Sequence, residues 1–292
     1  MKICVSIASY RDPDLINTIN SAYSNATDVS NISFCVVSQD SKHPDLSKYP
    51  IDQYHKYHWK ESLGVCWARN KAIQSCSSDY ILQVDSHSRF PIGWDEVIEI
   101  ENEIAEEFWG QRIILTQYPY AFLMIDGKEI YQDLDEKLKT FPIWSEEEKT
   151  IKLGTVWSPV QDKKHGDEVF YFAGGCSFAS SEIMKSIIPD PEIYFNGEEM
   201  SIAIRAYTRG IRMINSPVNF IYSNFSRQNN NRNLHWEDHP KWFDLEKRSR
   251  IKLSKIYDGA NLGEWGIESE SLYEQFIKLT NLNKIKGSRV GQ

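Results

Sequence analysis

The sequence predicts an α/β protein built on a mainly parallel sheet with helices on both faces. Short apolar runs rich in Val, Ile and Cys recur through the first 120 residues, and stretches with helical spacing separate them. A polar cluster follows directly on three of these runs. Strand alternating with helix implies crossover connections, which cover both faces of a parallel sheet.

Residues 2–9, KICVSIAS, read as a buried strand. Asp12 before Pro13 marks a helix start, a capping residue followed by proline where its missing N–H costs nothing. That helix runs to about Asn25. Residues 32–38 form a second strand, 40–61 a polar stretch, 64–76 a helix, and YILQVD at 80–85 a third strand. An acidic helix covers 94–108 and a fourth strand 112–118. The middle, 119–168, reads as irregular, rich in Trp, Pro and charge. A strand at 169–180 runs into Gly174-Gly175, a helix covers about 180–187, and 195–211 is a turn opening an amphipathic helix that Gly210 ends. A further strand covers 212–222, a loop 223–240, and two helices 241–281.

The 292 residues are 41% apolar and 25% charged, which suits one large domain with a tail or two small ones. The net charge of -8 and the absence of a Lys/Arg block exclude nucleic acid as the main partner, while a local metal or arginine leaves an anionic small ligand open. Cys4, Cys35, Cys66, Cys76 and Cys176 are odd in number and lack a CxxC pair. They read as reduced, buried thiols rather than a disulfide framework or zinc site, and point to a cytoplasmic setting. The apolar stretch after Met1-Lys2 is too short for a signal peptide, and no run approaches the ~20 residues of a membrane span.

In open parallel sheets, ligands bind beyond the carboxyl ends of the strands. That rule gathers Ser9, Arg11 and Asp12, then Gln39, then Asp85, Ser86 and His87 at one crevice. Asp85 and His87 form a D-x-H pair whose side chains point to the same side on extended backbone. Mixed oxygen and nitrogen ligation suits Mn2+ and similar ions. The alternative is a turn at a strand end. His235 offers a third ligand or a packed ring. Arg69, on the 64–76 helix, is a diphosphate contact or a surface cation. Arg11 and Asp12 suit a base or ribose contact, and Asp12 alone a helix cap. Gly174 and Gly175 allow close backbone approach. Glu198 and Glu199 open a helix at its positive end. Adjacent helical residues diverge by about 100°, which does not give the facing carboxylates of a glycosidase.

In order, SIASYRD, GVCWARNKA, DSH-x-RF, AGGCSF, EEMSIAIRAYTRG and LHW resemble glycosyltransferase family 60, and more distantly the mucin-type polypeptide N-acetylgalactosaminyltransferases. The match runs over about residues 3–240. The resemblance implies a GT-A fold, with 1–240 as the catalytic domain and 241–292 as a helical extension packed on it. It implies UDP-N-acetylglucosamine as donor, Mn2+ as cofactor, and a polypeptide hydroxyl (serine, threonine or hydroxyproline) as acceptor, with retention of configuration. Asp85, His87 and His235 fall on the metal positions and Arg69 on the nucleotide-contacting arginine. Gly174 and Gly175 fall beside the donor sugar, and Glu198 and Glu199 on the acidic catalytic segment. A glycan acceptor with the same donor, and a nucleotide-sugar-binding module without turnover, are the alternatives.

Overall fold

The computed structural model describes residues 1–132, 136–145, 150–159, 164–226 and 232–280. In chain order its first half comprises β1 (Ile3–Tyr10), α1 (Leu15–Ser24), β2 (Ile32–Gln39), β3 (Ile51–Tyr57), α2 (Val65–Ser75), β4 (Tyr80–Asp85), β5 (Ser88–Arg89), α3 (Trp94–Trp109) and β6 (Ile113–Thr116). Then come β7 (Tyr120–Ile125), β8 (Lys128–Tyr131), β9 (Glu136–Ser145), β10 (Thr150–Pro159), β11 (Asp167–Val169) and β12 (Cys176–Ser180). The last part holds α4 (Ser181–Ser186), α5 (Glu198–Thr208), β13 (Arg212–Asn215), β14 (Tyr222–Ser223), α6 (His235–Asp238), α7 (Trp242–Tyr257) and α8 (Glu270–Thr280).

Eight strands form the main sheet in the order β11-β13-β6-β12-β4-β1-β2-β3. The pairs β1–β2, β1–β4, β2–β3 and β6–β13 are parallel, while β12 runs antiparallel to both neighbours. Both faces are buried. Ile3, Val5 and Ile7 of β1, with Phe34 and Val36 of β2, face a core shared with Ile19 of α1 and Trp94 and Ile98 of α3. Cys4 and Cys35 face the other side, in a core with Ile73 of α2, Met184 of α4 and Ile202 of α5. This two-sided burial is why the central strands read as continuous apolar runs. A four-stranded sheet, β5-β14-β7-β8, and the β9–β10 hairpin lie outside the main sheet. Among the described residues no helix is long and apolar enough to cross a membrane.

Five sequence expectations change. Helix α1 begins at Leu15, because Asp12 is drawn away to Ser86 and His87. The polar stretch 40–61 contains β3, an edge strand whose Asp52, Gln53 and Lys56 obscure it, as charge on an edge strand does. The 119–168 segment carries strands β7 to β11 rather than irregular chain. Asp126 and Gly127, both at positive φ (50 and 75), join β7 to β8, and Asp-Gly is the residue pair such a two-residue hairpin demands. The strand expected to enter Gly174-Gly175 lies after it, as β12, and the one expected over 212–222 breaks into β13 and β14 around Pro217. Residues 227–231, within the expected 223–240 loop, and 281–292, the end of the expected extension, lie outside the described residues.

Helix α5 is the buried element behind the crevice. Leu253, Ile256 and Tyr257 of α7 and Phe276 and Ile277 of α8 share its core. Gly197, at φ +87 just before α5, is closed over by α7: a Cβ there would lie 2.6 Å from Leu253 and from the Tyr257 hydroxyl. Arg205 of α5 is fully buried and donates to the carbonyls of Ile187 (3.0 Å) and Ile188 (2.9 Å). Arg205→Ala would leave these acceptors buried without partners. A destabilisation of about 2–4 kcal/mol is expected by denaturant unfolding.

Candidate active site

The strand register sets the crevice. Tyr10 at the end of β1 lies opposite Gln39 at the end of β2, and Ala8 lies opposite Asp85 at the end of β4. Beyond these ends opens a cavity of about 490 Å³, within the ~300–1,000 Å³ typical of small-molecule sites. Asp12, Gln39, Arg69, Asp85, Ser86, His87, Gly174, Gly175, Glu198, Glu199 and His235 all contribute to its wall. Ser9 does not: strand alternation presents Ala8 and Tyr10 to the cavity and turns Ser9 into the fold. Arg11 is also absent from the wall. It pairs with Asp238, and its guanidinium lies 4.8 Å over the Trp59 ring.

Arg69 occupies the centre. The sequence offered a surface cation as one reading, but the side chain is 7% exposed and is clamped by two carboxylates. One terminal nitrogen donates to Asp85 Oδ1 at 2.7 Å and the other to Glu198. Burial alone would lower its pKa, yet Glu198 and Asp85 hold it above the ordinary arginine range. Burial likewise opposes ionised Asp85, but Arg69 and then His87 keep that carboxyl below its usual range. Asp85 Oδ2 is left facing the cavity side, 3.9 Å from His87 Nε2.

Asp12 is neither the helix cap nor a free base-reading group. It accepts from Ser86 Oγ at 2.8 Å, from the Asp14 amide at 3.0 Å, and from His87 Nδ1 at 2.9 Å. A carboxylate only accepts, so Nδ1 of His87 carries a proton, and in the neutral ring Nε2 presents a lone pair. Arg11, at φ 47, makes the left-handed turn that delivers Asp12 to these partners. The donor set therefore fits a divalent ion at Asp85 and His87: one oxygen and one nitrogen within reach of a single centre, with a carboxylate fixing the imidazole behind. His235 is not part of that group. Among the described residues Asp85, His87 and His235 do not bring three ligand atoms within 4.8 Å of one another, and both ring nitrogens of His235 are engaged, Nδ1 by Tyr194 and Nε2 by Ser62 at 2.6 Å. Burial, then His239, pushes the His235 pKa down to about 3, so the ring is neutral.

The glycine pair is explained by what flanks it. A Cβ on Gly174 would run into the Arg69 guanidinium, and one on Gly175 would lie 2.8 Å from Asp85 Oδ2. The Gly174 backbone is held at both ends. Its N–H donates to Glu199 at 2.9 Å, and its carbonyl accepts from Gln83 at 2.7 Å. The other Glu199 oxygen accepts from the Tyr118 hydroxyl at 2.7 Å. Sequence reading passed over Tyr118 and Gln83. Tyr118 lies just past the end of β6, where the strand-end rule applies equally, and Gln83 is a polar residue inside an apolar strand. The wall residues Tyr194, Phe195 and Arg232 lie on connections leading into α5 and α6, where no local pattern marked them, while Trp236 lies on α6 within the LHW motif.

The glycosyltransferase (GlcNAc) family model matches residues 53–263, and the glycosyl transferase family 2 model matches 4–99. The first spans most of the chain. The protein belongs to the glycosyltransferase (GlcNAc) family. No curated protein matches this member in sequence. Among solved structures it is similar to GalNAc-T7 with UDP, GalNAc and Mn2+, at TM-score 0.62 and 13% identity, covering 96% of this chain and 55% of that one. It is also similar to S. aureus TarS, at 0.55 and 14%, covering 98% and 44%. For TarS 1-349 in complex with UDP-GlcNAc the values are 0.54 and 14%, covering 98% and 73%. The chain thus spans about half the length of the first two. These likenesses show the GT-A fold, consistent with the main sheet described above.

Burial raises the pKa of the family member's Glu199 to about 7. The folded chain then holds this proton more tightly than the unfolded one. On this account stability falls as pH rises from about 4.5 to 7 and changes no further above that. Glu199→Gln mimics the protonated carboxyl and should escape the loss. Between pH 4.5 and 8 its unfolding free energy should gain on the native chain's by at most about 3 kcal/mol. Denaturant unfolding at both pH values measures this, and a constant difference would contradict it.

Proposed function

We propose that the protein transfers N-acetylglucosamine from UDP-N-acetylglucosamine to a hydroxyl of a polypeptide acceptor, on serine, threonine or hydroxyproline. The anomeric configuration is retained, and a divalent ion such as Mn2+ serves as cofactor. The observation that carries this reading is the Asp12–His87–Asp85 arrangement at the carboxyl edge of the sheet. The family's name supports the sugar, and UDP, Mn2+ and UDP-GlcNAc in the similar structures support the donor and ion. The family 60 motifs support the polypeptide. In this reading residues 1–240 carry catalysis and 241–292 form the helical extension. The five free, buried thiols suit the cytoplasm.

Asp85 and His87 would hold the ion, which when bound supplies positive charge against the leaving diphosphate. Arg69 adds a second fixed charge to the same cavity and holds Asp85 in position. Gln39 and Ser86 line the donor side, Ser86 with its hydroxyl turned to Asp12. Gly174 and Gly175 let the donor sugar lie against backbone. Glu198 accepts from Arg69 through Oε2 and keeps its unpartnered Oε1 buried, and both Glu199 oxygens are taken up by Gly174 and Tyr118, so in this reading neither attacks the sugar. The acceptor oxygen therefore bonds to the anomeric carbon on the face the diphosphate leaves. The bond to the diphosphate oxygen breaks, and the hydroxyl proton passes to a diphosphate oxygen. His235, held by Tyr194 and Ser62, would have to give up one of these bonds to reach the ion.

Asp85→Ala and His87→Ala should each abolish UDP release and sugar transfer while the thermal unfolding transition persists. Activity at the native level in either variant would refute the site. Asp12→Asn, which keeps shape but loses the carboxylate behind His87, should weaken Mn2+ binding by about 10–100-fold in a calorimetric titration. NMR of the product should show an α-linkage; a β-linked product would overturn retention.

A further inference from the structure

The five cysteines are not evenly spread through the core. Cys4 on β1, Cys35 on β2 and Cys76 at the end of α2 bring their Sγ atoms within 4.8 Å of one another. Their exposures are 0%, 0% and 2%. The Cys4 and Cys76 sulfurs are 2.7 Å apart, closer than unbonded sulfurs rest. Strand alternation sends Cys4 and Cys35 to the same face of the sheet, into the core lined by Ile73 and Ile81. Cys76 is fixed by its backbone: its amide donates to Ile73 at 3.2 Å and its carbonyl accepts from Lys185 at 2.8 Å. Cys4 lies six residues back along β1 from Tyr10 at the crevice, about 20 Å at the rise of a strand.

We propose that Cys4, Cys35 and Cys76 form a binding site for one soft d10 cation, zinc or monovalent copper, held by three thiolates and separate from the crevice. An all-sulfur donor set selects such ions over Mg2+ or Mn2+. Bonds of about 2.3 Å in a trigonal arrangement place sulfurs about 4 Å apart, inside the observed spread. Cys4 and Cys76 then separate by about 1 Å, which relieves their close contact. Two cysteines would suffice for a cross-link; the third is what an ion requires. Asp52, anchored by Ser33 at 3.1 Å and Ser77 at 2.9 Å, acts electrostatically on Cys4 and Cys35, and its negative charge favours a cation beside it. On binding, three S–H bonds break, three metal–sulfur bonds form and three protons pass to solvent.

The test uses the full chain expressed with zinc and dialysed against metal-free buffer. Elemental analysis should find about one zinc per chain, X-ray absorption at the zinc edge should show three sulfur neighbours, and added cadmium should give sulfur-to-metal charge-transfer absorption. Cys35→Ser should lose the ion. Cys66→Ser, a buried cysteine outside the trio, and Asp85→Ala at the crevice should keep it, so failure here is distinct from failure of the proposed activity. If Cys35→Ser does not fold, the absorption spectrum of the native chain decides. Native protein without a sulfur-bound ion overturns the proposal, whether its thiols are all free or Cys4 and Cys76 are joined and the chain is lighter by two hydrogens.

Discussion

The buried Arg69 guanidinium is the interaction on which the crevice depends. It joins three elements: its own helix α2, the end of β4 through Asp85, and the start of α5 through Glu198. Without it two carboxylates would face one another in a poorly hydrated cavity, a cost of several kcal/mol. The neighbouring backbone is shaped to admit it, since Gly174 leaves the room that a Cβ would take from the guanidinium. The clamp also divides the labour of Asp85, tying down one oxygen and leaving the other toward His87.

A second constraint runs through the backbone. The left-handed residue Arg11 turns the chain just after β1, and Asp12 lands on Ser86 and His87 beyond the end of the neighbouring strand β4. The helix that follows starts late as a result, with Asp14 before its first residue. Local helix propensity is thus overridden by a tertiary hydrogen bond that sets the tautomer of one imidazole. Tyr118, Glu199 and Gln83 do the same for the glycine segment, fixing both its N–H and its carbonyl.

The central strands and the gathering of polar strand ends were legible because each rests on short-range pattern: apolar runs between helical stretches, and side-chain alternation. Asp85, His87, Gly174 and Glu198 could be selected this way. What the pattern could not give were directions set by distant partners. Asp12 looked like a cap because nothing local shows that His87 lies 75 positions on and reaches back to it. Arg69 looked equally suited to the surface because its two carboxylates come from separate elements. Ser9 failed by one step of alternation. His235 was in the right region, but its two hydrogen-bond partners, Tyr194 and Ser62, come from elsewhere in the chain. Strand β3 was hidden by polar composition, whereas β7, YAFLMI, is apolar and with the Asp126-Gly127 pair was a visible clue inside a segment whose flanks are rich in charge.

The packing at Gly197 has a wider meaning. Leu253 and Tyr257 press on the residue immediately before Glu198, leaving no space for even a methyl group. Helix α7 therefore works as a backstop, and the position of two acidic side chains is set from behind by a segment that holds none of the crevice chemistry. Residues at the back of the molecule thus help to fix the shape of a crevice they never enter.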